Sequence, residues 1–260
     1  RTPLRAALQV LKERHARAAA LCRKVPTADM DAELNFSTVE FSCAKLRDAE
    51  DLNWTGKGLT TEDMATLNMI LCTNGLPRLE GLELNENRFG DAGVQALCDG
   101  LGRGATPSLR GLDLCENDLG PACAEALAAA LRRGAMPSLT SLQLSYTGIG
   151  NQGVAALSAM LRKRPLTCLF LVGCEIGDEG VASLFADLGK DDFKSLEMLE
   201  LDHNDITDAG TTTLIAAIDA GRLPKLQQQQ DNGLHGNPAS AAALKAVQDA
   251  LSKRSSMSNV

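Results

Sequence analysis

Apolar residues return along most of this chain in one fixed pattern. From Leu79 it reads Leu79-x-x-Leu82-x-Leu84-x-x-Asn87-x-Phe89-Gly90-x-x-Gly93-Val94-x-x-Leu97-x-x-x-Leu101. The frame restarts at Leu109 (with Leu112, Leu114, Asn117, Leu119 and Leu127) and at Leu139 (with Leu142, Leu144, Thr147, Ile149 and Val154). It restarts again at Leu166 (with Leu169, Leu171, Cys174, Ile176 and Val181) and at Leu196 (with Leu199, Leu201, Asn204, Ile206 and Leu214). A weaker copy runs through Ala49, Leu52, Trp54, Lys57, Leu59 and Leu67. The six starts lie 30, 30, 30, 27 and 30 residues apart. Self-similarity at constant phase predicts a solenoid, in which each unit buries its apolar face only against its neighbours.

Each unit predicts a strand, a turn and a helix. Leu-x-Leu has the period of two of a short strand and sends both leucines to one side. The Asn three residues later is a polar group in a buried column, which requires hydrogen bonds to the backbone of its own turn and of the next coil. Gly follows where the chain turns tightly. Val94, Leu97 and Leu101 then fall on one face of a helix. Gly104 and Pro107, or Gly134 and Pro137, close the helix before the next strand. The expected fold is an α/β solenoid with a parallel β-sheet on the concave face and α-helices on the convex face, because helices are wider than strands.

The frame resembles the long leucine-rich repeats of the ribonuclease-inhibitor type, also found in the activating protein for the Ran GTPase and in innate-immune receptors. The resemblance covers about residues 49 to 224 and implies a horseshoe and a binding role. Lys57, Thr147 and Cys174 depart from the Asn column, and Asp63 and Cys123 from the Gly93 column. Thr147 bridges less well than Asn, so a looser turn is expected there.

Solenoid ends need caps. Residues 1–48 read as an N-terminal helix and irregular capping region, 49–225 as six repeats, 226–251 as a degenerate capping repeat and helix, and 252–260 as a frayed tail. Thr2 suits an N-cap, Pro3 the first helical position, and Leu4, Leu8 and Leu11 one apolar side. Leu34 to Leu46 alternates like an irregular first strand. At the other end Gln227 to Gln230 occupy strand slots, and Leu234-His-Gly-Asn237 resumes the frame three residues late.

Charge is divided unevenly. The chain carries −7 overall, while Arg1 to Val25 hold seven basic residues against Glu13 alone, so the remainder sums to −13. An acidic body argues against nucleic acid as the partner. The basic helix reads either as a cap with a solvated face or as a surface for an anionic membrane, an acidic tail or nucleic acid. Eight cysteines without a CxxC pair or clustered His exclude the usual zinc arrangements and point to buried free thiols in a reducing compartment, cytoplasmic or nuclear. No apolar run approaches membrane-span length, and no cofactor is implied.

The residues around each Leu-x-Leu that point out of the concave sheet do not hold the core, so they are the candidate docking face. Glu83, Asn85 and Asp113, with Glu86 and Glu116 nearby, form an acidic region on the second and third repeats. Phe170, Val172 and Met198 form an apolar patch on the fifth and sixth, bordered by Tyr146 and flanked by Glu200 and Asp202. The pattern fits a protein partner with apolar and basic segments. In the bland reading Phe170 lies under a loop or the N-terminal segment, and the acids serve solubility.

Catalysis has little to stand on. Of the three histidines only His203 is near the concave rim, and Ser145 or Cys115 would lie two or more strands away, at about 5 Å per strand. The reading is a non-enzymatic interaction scaffold. The alternatives are a small-GTPase regulator, against which the lack of an acidic tail counts, and a structural subunit of a large assembly.

Overall fold

The computed structural model describes residues 48–73, 76–185, 187–227 and 233–257, together with residues 17 and 20. Most of the expected N-terminal helix and all of the strand expected at 34–46 lie outside the described residues. Six three-residue strands alternate with helices: β1 Asp51–Asn53, α1 Thr61–Cys72, β2 Gly81–Glu83, α2 Gly90–Cys98, β3 Gly111–Asp113 and α3 Pro121–Arg132, then β4 Ser141–Gln143, α4 Gly150–Leu161, β5 Cys168–Phe170, α5 Asp178–Phe185, β6 Met198–Glu200, α6 Asp208–Asp219 and α7 Ala241–Met257. The strands form one open parallel sheet in chain order. Register is unbroken, with Leu52, Leu82, Leu112, Leu142, Leu169 and Leu199 side by side. The shortened 27-residue step is absorbed before β5, where α4 reaches Thr167 through Arg162–Leu166.

The fold is built as leucine columns inside and polar ladders at the turns. Trp54, Leu84, Leu114, Leu144, Leu171 and Leu201 make a second buried column beside the first. Helices pack about 8–10 Å apart and strands about 4.8 Å. Consecutive helices are in contact throughout, so the helical layer is the longer one and the sheet lies on the inside of the curve.

The Asn column does what its burial demands. Asn87 donates through Nδ2 to the carbonyls of Leu84 and Trp54 (both 2.8 Å), and its Oδ1 accepts from the amide of Leu59 (3.0 Å). Asn117 takes the amide of Asn87 (3.1 Å) and donates to Leu84 and Leu114 (both 3.0 Å). Asn204 repeats the arrangement on Cys174, Ile176 and Leu171. Asn237 does so on Ile206 and Leu201, so the late Leu-x-x-Asn fragment forms a genuine seventh turn. Cys174 substitutes with its thiol donating to the Leu144 carbonyl at 3.0 Å.

A second ladder runs along the helix N-termini, and the sequence pattern did not announce it. The Asp91 carboxylate accepts from the amides of Gly120 (2.8 Å) and Cys123 (3.1 Å) in the next repeat. Asn151 does the same for Gly177 and Gly180, Asp178 for Thr207 and Gly210, and Asp208 for Ser240. Each side chain therefore caps the helix of the following repeat, which satisfies otherwise unpaired first-turn amides. Burial pushes the Asp178 carboxyl up in pKa, but the bonds from Thr207 and Gly210 outweigh it and hold the group below its ordinary value.

Both ladders stop at one junction. Between the third and fourth repeats the helix-capping position is Pro121, which has no side-chain acceptor, and the turn position is Thr147. Thr147 is buried and donates to Leu144 in its own repeat instead of reaching back to the third. Strand pairing, helix packing, the Gly148 amide on the Leu119 carbonyl (2.7 Å) and Arg164 on the carbonyls of Leu131 and Met136 carry this junction.

Candidate partner-binding face

The concave side chains are positioned by the sheet itself. Each three-residue strand turns its middle leucine into the core, so the residue on either side must face out. Lateral neighbours are fixed by the register: Asn53, Glu83, Asp113, Gln143, Phe170 and Glu200 form one row across the six strands. After each strand the chain turns through a left-handed residue, and these form a rim row: Gly56, Glu86, Glu116, Tyr146, Gly173 and His203. The Tyr146 and His203 rings of this row each crowd a glycine of the next repeat. A Cβ on Gly173 would sit 2.9 Å from Cδ1 of Tyr146, and one on Gly236 would collide with the His203 imidazole.

On the acidic side, Glu83 is exposed and accepts from the Asn53 side-chain amide, and Asn85 Oδ1 accepts from Thr55 Oγ1 at 2.7 Å. Asp113 is half-buried and takes the Cys115 amide of its own turn at 2.9 Å. The concave and rim rows of the six repeats hold seven carboxylates (Asp51, Glu83, Glu86, Asp113, Glu116, Glu200 and Asp202) and no lysine or arginine. No ion pair among the described residues reaches any of the seven. The edge before the strands differs: there Glu50 meets Arg78, Glu80 meets Arg110 and Glu197 meets Lys225. Among the described residues, negative charge is thus compensated at that edge and uncompensated on the face.

The apolar side is less open than the sequence suggests. Phe170, Val172 and Met198 are half-buried, and the large hydrophobic residue that stands clear is Tyr146, 57% exposed. The reason is lateral: Phe170 lies between Gln143 and Glu200, and Met198 beside Cys168, on strands less than 5 Å apart. Tyr146 adjoins Val172 through its amide, which donates to the Val172 carbonyl at 2.6 Å. Glu200 has its pKa raised, first by burial and then by the charge of Asp202. Asp202 accepts the His235 amide, and the His203 and His235 rings meet edge to face at 5.4 Å. The sheet therefore presents carboxylates on β1–β3 and an aromatic and aliphatic surface on β4–β6, with Glu200 and Asp202 at the far end.

Four thiols at the repeat interfaces are held toward their protonated form. Burial pushes Cys98 up to about 12, and burial with the charges of Asp91, Cys98 and Cys174 does the same to Cys123. Cys115 and Cys174 are also raised, again mainly by burial. Protonated thiols are weak nucleophiles and weak metal ligands. Among the described residues no three His, Cys, Asp or Glu side chains gather closely enough to hold a metal ion, and no helix is long and apolar enough to cross a membrane. Ser145 is buried and accepts the Val172 amide at 3.1 Å.

A sequence-family profile described as Leucine Rich repeat matches residues 78–98, 135–158, 162–185 and 194–214. No curated protein matches the chain. Among solved structures, Leiomodin-1 Actin-Binding Site 2 is 14% identical over 52% of this chain and 74% of that one, with a TM-score of 0.40. The BIR2 ectodomain from Arabidopsis thaliana is 18% identical over 66% and 74%, with a TM-score of 0.35. A Leptospira interrogans LRR protein is 17% identical over 84% and 57%, with a TM-score of 0.43. The matched segments fall on the strand-turn-helix units already traced through the sheet, and the chain is a leucine-rich-repeat protein.

Proposed function

We propose that this chain is a non-enzymatic scaffold that binds a protein partner on the concave face of its sheet. The observation that supports it is the face itself: seven carboxylates with no ion pair among the described residues, beside Phe170, Val172, Met198 and an exposed Tyr146, all on positions the core does not use. Aromatic residues exposed beside charge are typical interface anchors. Repulsion within an uncompensated row of acids is relieved when a partner brings the opposite charge.

Capture from native extract, followed by mass spectrometry, tests the reading when it is run on variants in parallel. Proteins retained by the native chain should be lost from Phe170→Ala and from Asp113→Lys. They should persist on Gln95→Lys, which changes charge on the exposed side of α2. Retention unaffected by both concave changes would sink the proposal.

A further inference from the structure

The division of the face fixes more than its location. We propose that it takes an extended segment of another protein that runs across the strands, seating an apolar side chain at Phe170 and Met198 and laying basic side chains over Asp113 and Glu83. The inference rests on the concave-face reading above and specifies its occupant.

The register supplies the spacing. Asp113 and Phe170 share one row two strands apart, and Glu83 is three strands from Phe170. At about 4.8 Å per strand these steps are about 10 and 14 Å, and an extended chain advances about 3.3 Å per residue. Basic residues therefore belong about three and four positions from the apolar anchor. Charge selects the chemistry: Glu83, Asp113, Glu86 and Glu116 have no cationic partner among the described residues, while the opposite edge is already paired. The chain's own basic segment is the rival occupant. Its Arg17, however, lines a shallow depression with Ala65, Thr66 and Met69 of α1, in the helical layer and not on the sheet.

The probe is a fluorescently labelled peptide with one phenylalanine and arginines three and four positions from it, made in both chain directions and titrated into the full chain. We expect saturable binding that weakens with salt, falls roughly tenfold or more in Glu83→Lys/Asp113→Lys, and falls similarly in Phe170→Ala. Melting curves of the variants check that each remains folded. A peptide of the same composition with phenylalanine ten positions from the arginines should bind at least several-fold more weakly. Equal binding of the two peptides overturns the spacing, and with it this inference, while the scaffold reading survives if extract partners are still lost from the concave variants. Binding that appears only after the arginines and lysines of residues 1–25 are neutralised would make the chain's own segment the occupant and also overturn it. Equal weakening by Gln95→Lys would show charge attraction without a site.

Discussion

Replacing Asn117 with Ala and Thr147 with Val tests whether the turn ladder is interrupted at the third junction. Asn117 is 2% exposed and makes four bonds: Nδ2 to the carbonyls of Leu84, Leu114 and Cys115, and Oδ1 from the Asn87 amide. Two of the backbone groups keep other partners when the side chain is removed. Leu84 still accepts from Asn87, and Cys115 from the Glu86 amide. The Leu114 carbonyl and the Asn87 amide lose their ladder partner. A buried polar group left unpaired costs about 1–3 kcal/mol, so Asn117→Ala, which strands two, should destabilise by about 2–6 kcal/mol. Thr147→Val preserves shape and removes the bond to the Leu144 carbonyl, which still accepts the Cys174 thiol, together with a weak 3.7 Å contact to the Cys174 sulfur. Its effect should stay below about 1 kcal/mol.

Urea titrations followed by far-UV circular dichroism give the comparison directly. Trp54, the sole tryptophan and fully buried in the first repeat, reports that end of the stack separately by fluorescence. Thr147→Asn offers the converse: an asparagine there would meet the Asn117 amide and the Leu114 carbonyl and should stabilise by about 1 kcal/mol. The reasoning is refuted if Thr147→Val loses as much as Asn117→Ala, or if Asn117→Ala loses less than about 1 kcal/mol.

Three further outcomes follow from single contacts. Gly173→Ala should lower stability by about 1–2 kcal/mol, since Gly173 has φ of +61° and its new Cβ would displace the Tyr146 ring; an unchanged melting temperature would contradict the crowding. Above pH about 9 the unfolded chain's thiols ionise while Cys98 and Cys123 stay protonated to about 12, so the unfolded state binds fewer protons and stability should fall by about 1.4 kcal/mol per unit for each. Melting scans of Cys98→Ala/Cys123→Ala should show a flatter alkaline slope, and an equally steep one would exclude these thiols as its source. Asp178→Ala should cost about 1 kcal/mol at neutral pH by uncapping α6. Because the folded Asp178 pKa is lowered, that stabilisation is present above the unfolded carboxylate value and is lost as pH falls through the folded one, so the difference from the native chain should shrink in acid.

How far the sequence could be read depends on whether a residue acts within a column or across one. Leu82, Leu84 and Asn87 recur at fixed spacing because each has the same neighbour one repeat away, and a repeated environment writes itself as a repeated letter. The capping ladder uses the same geometry, yet it is spelled Asp91, Pro121, Asn151, Asp178 and Asp208, a column that looks like turn polarity until the Gly120 and Gly210 amides are seen to end on it. Its only trace in the sequence is an Asp or Asn at the first or second residue of a helix. The openness of Phe170 was not legible at all. It depends on the widths of Gln143 and Glu200 on adjacent strands, and lateral neighbours in a solenoid are about one repeat away in the sequence.

The two interrupted ladders and the change of surface chemistry fall at the same place. Repeats one to three present carboxylates, repeats four to six present Tyr146, Phe170, Val172 and Met198 with Glu200 and Asp202 at the far end, and between them stand Pro121 and Thr147. In a stack whose stability is the sum of units and nearest-neighbour interfaces, an interface that lacks both ladders opens more readily than one that keeps them. A segment laid across both halves would contact each block and so add to the strand pairing and the Gly148 and Arg164 bonds that hold this junction without either ladder. Peptide binding and the stability of the third interface are then coupled by mass action. Ligand that spans the junction should raise hydrogen-exchange protection at the Gly148 amide, which bonds to the Leu119 carbonyl across it. Ligand confined to either block should leave that amide as it was.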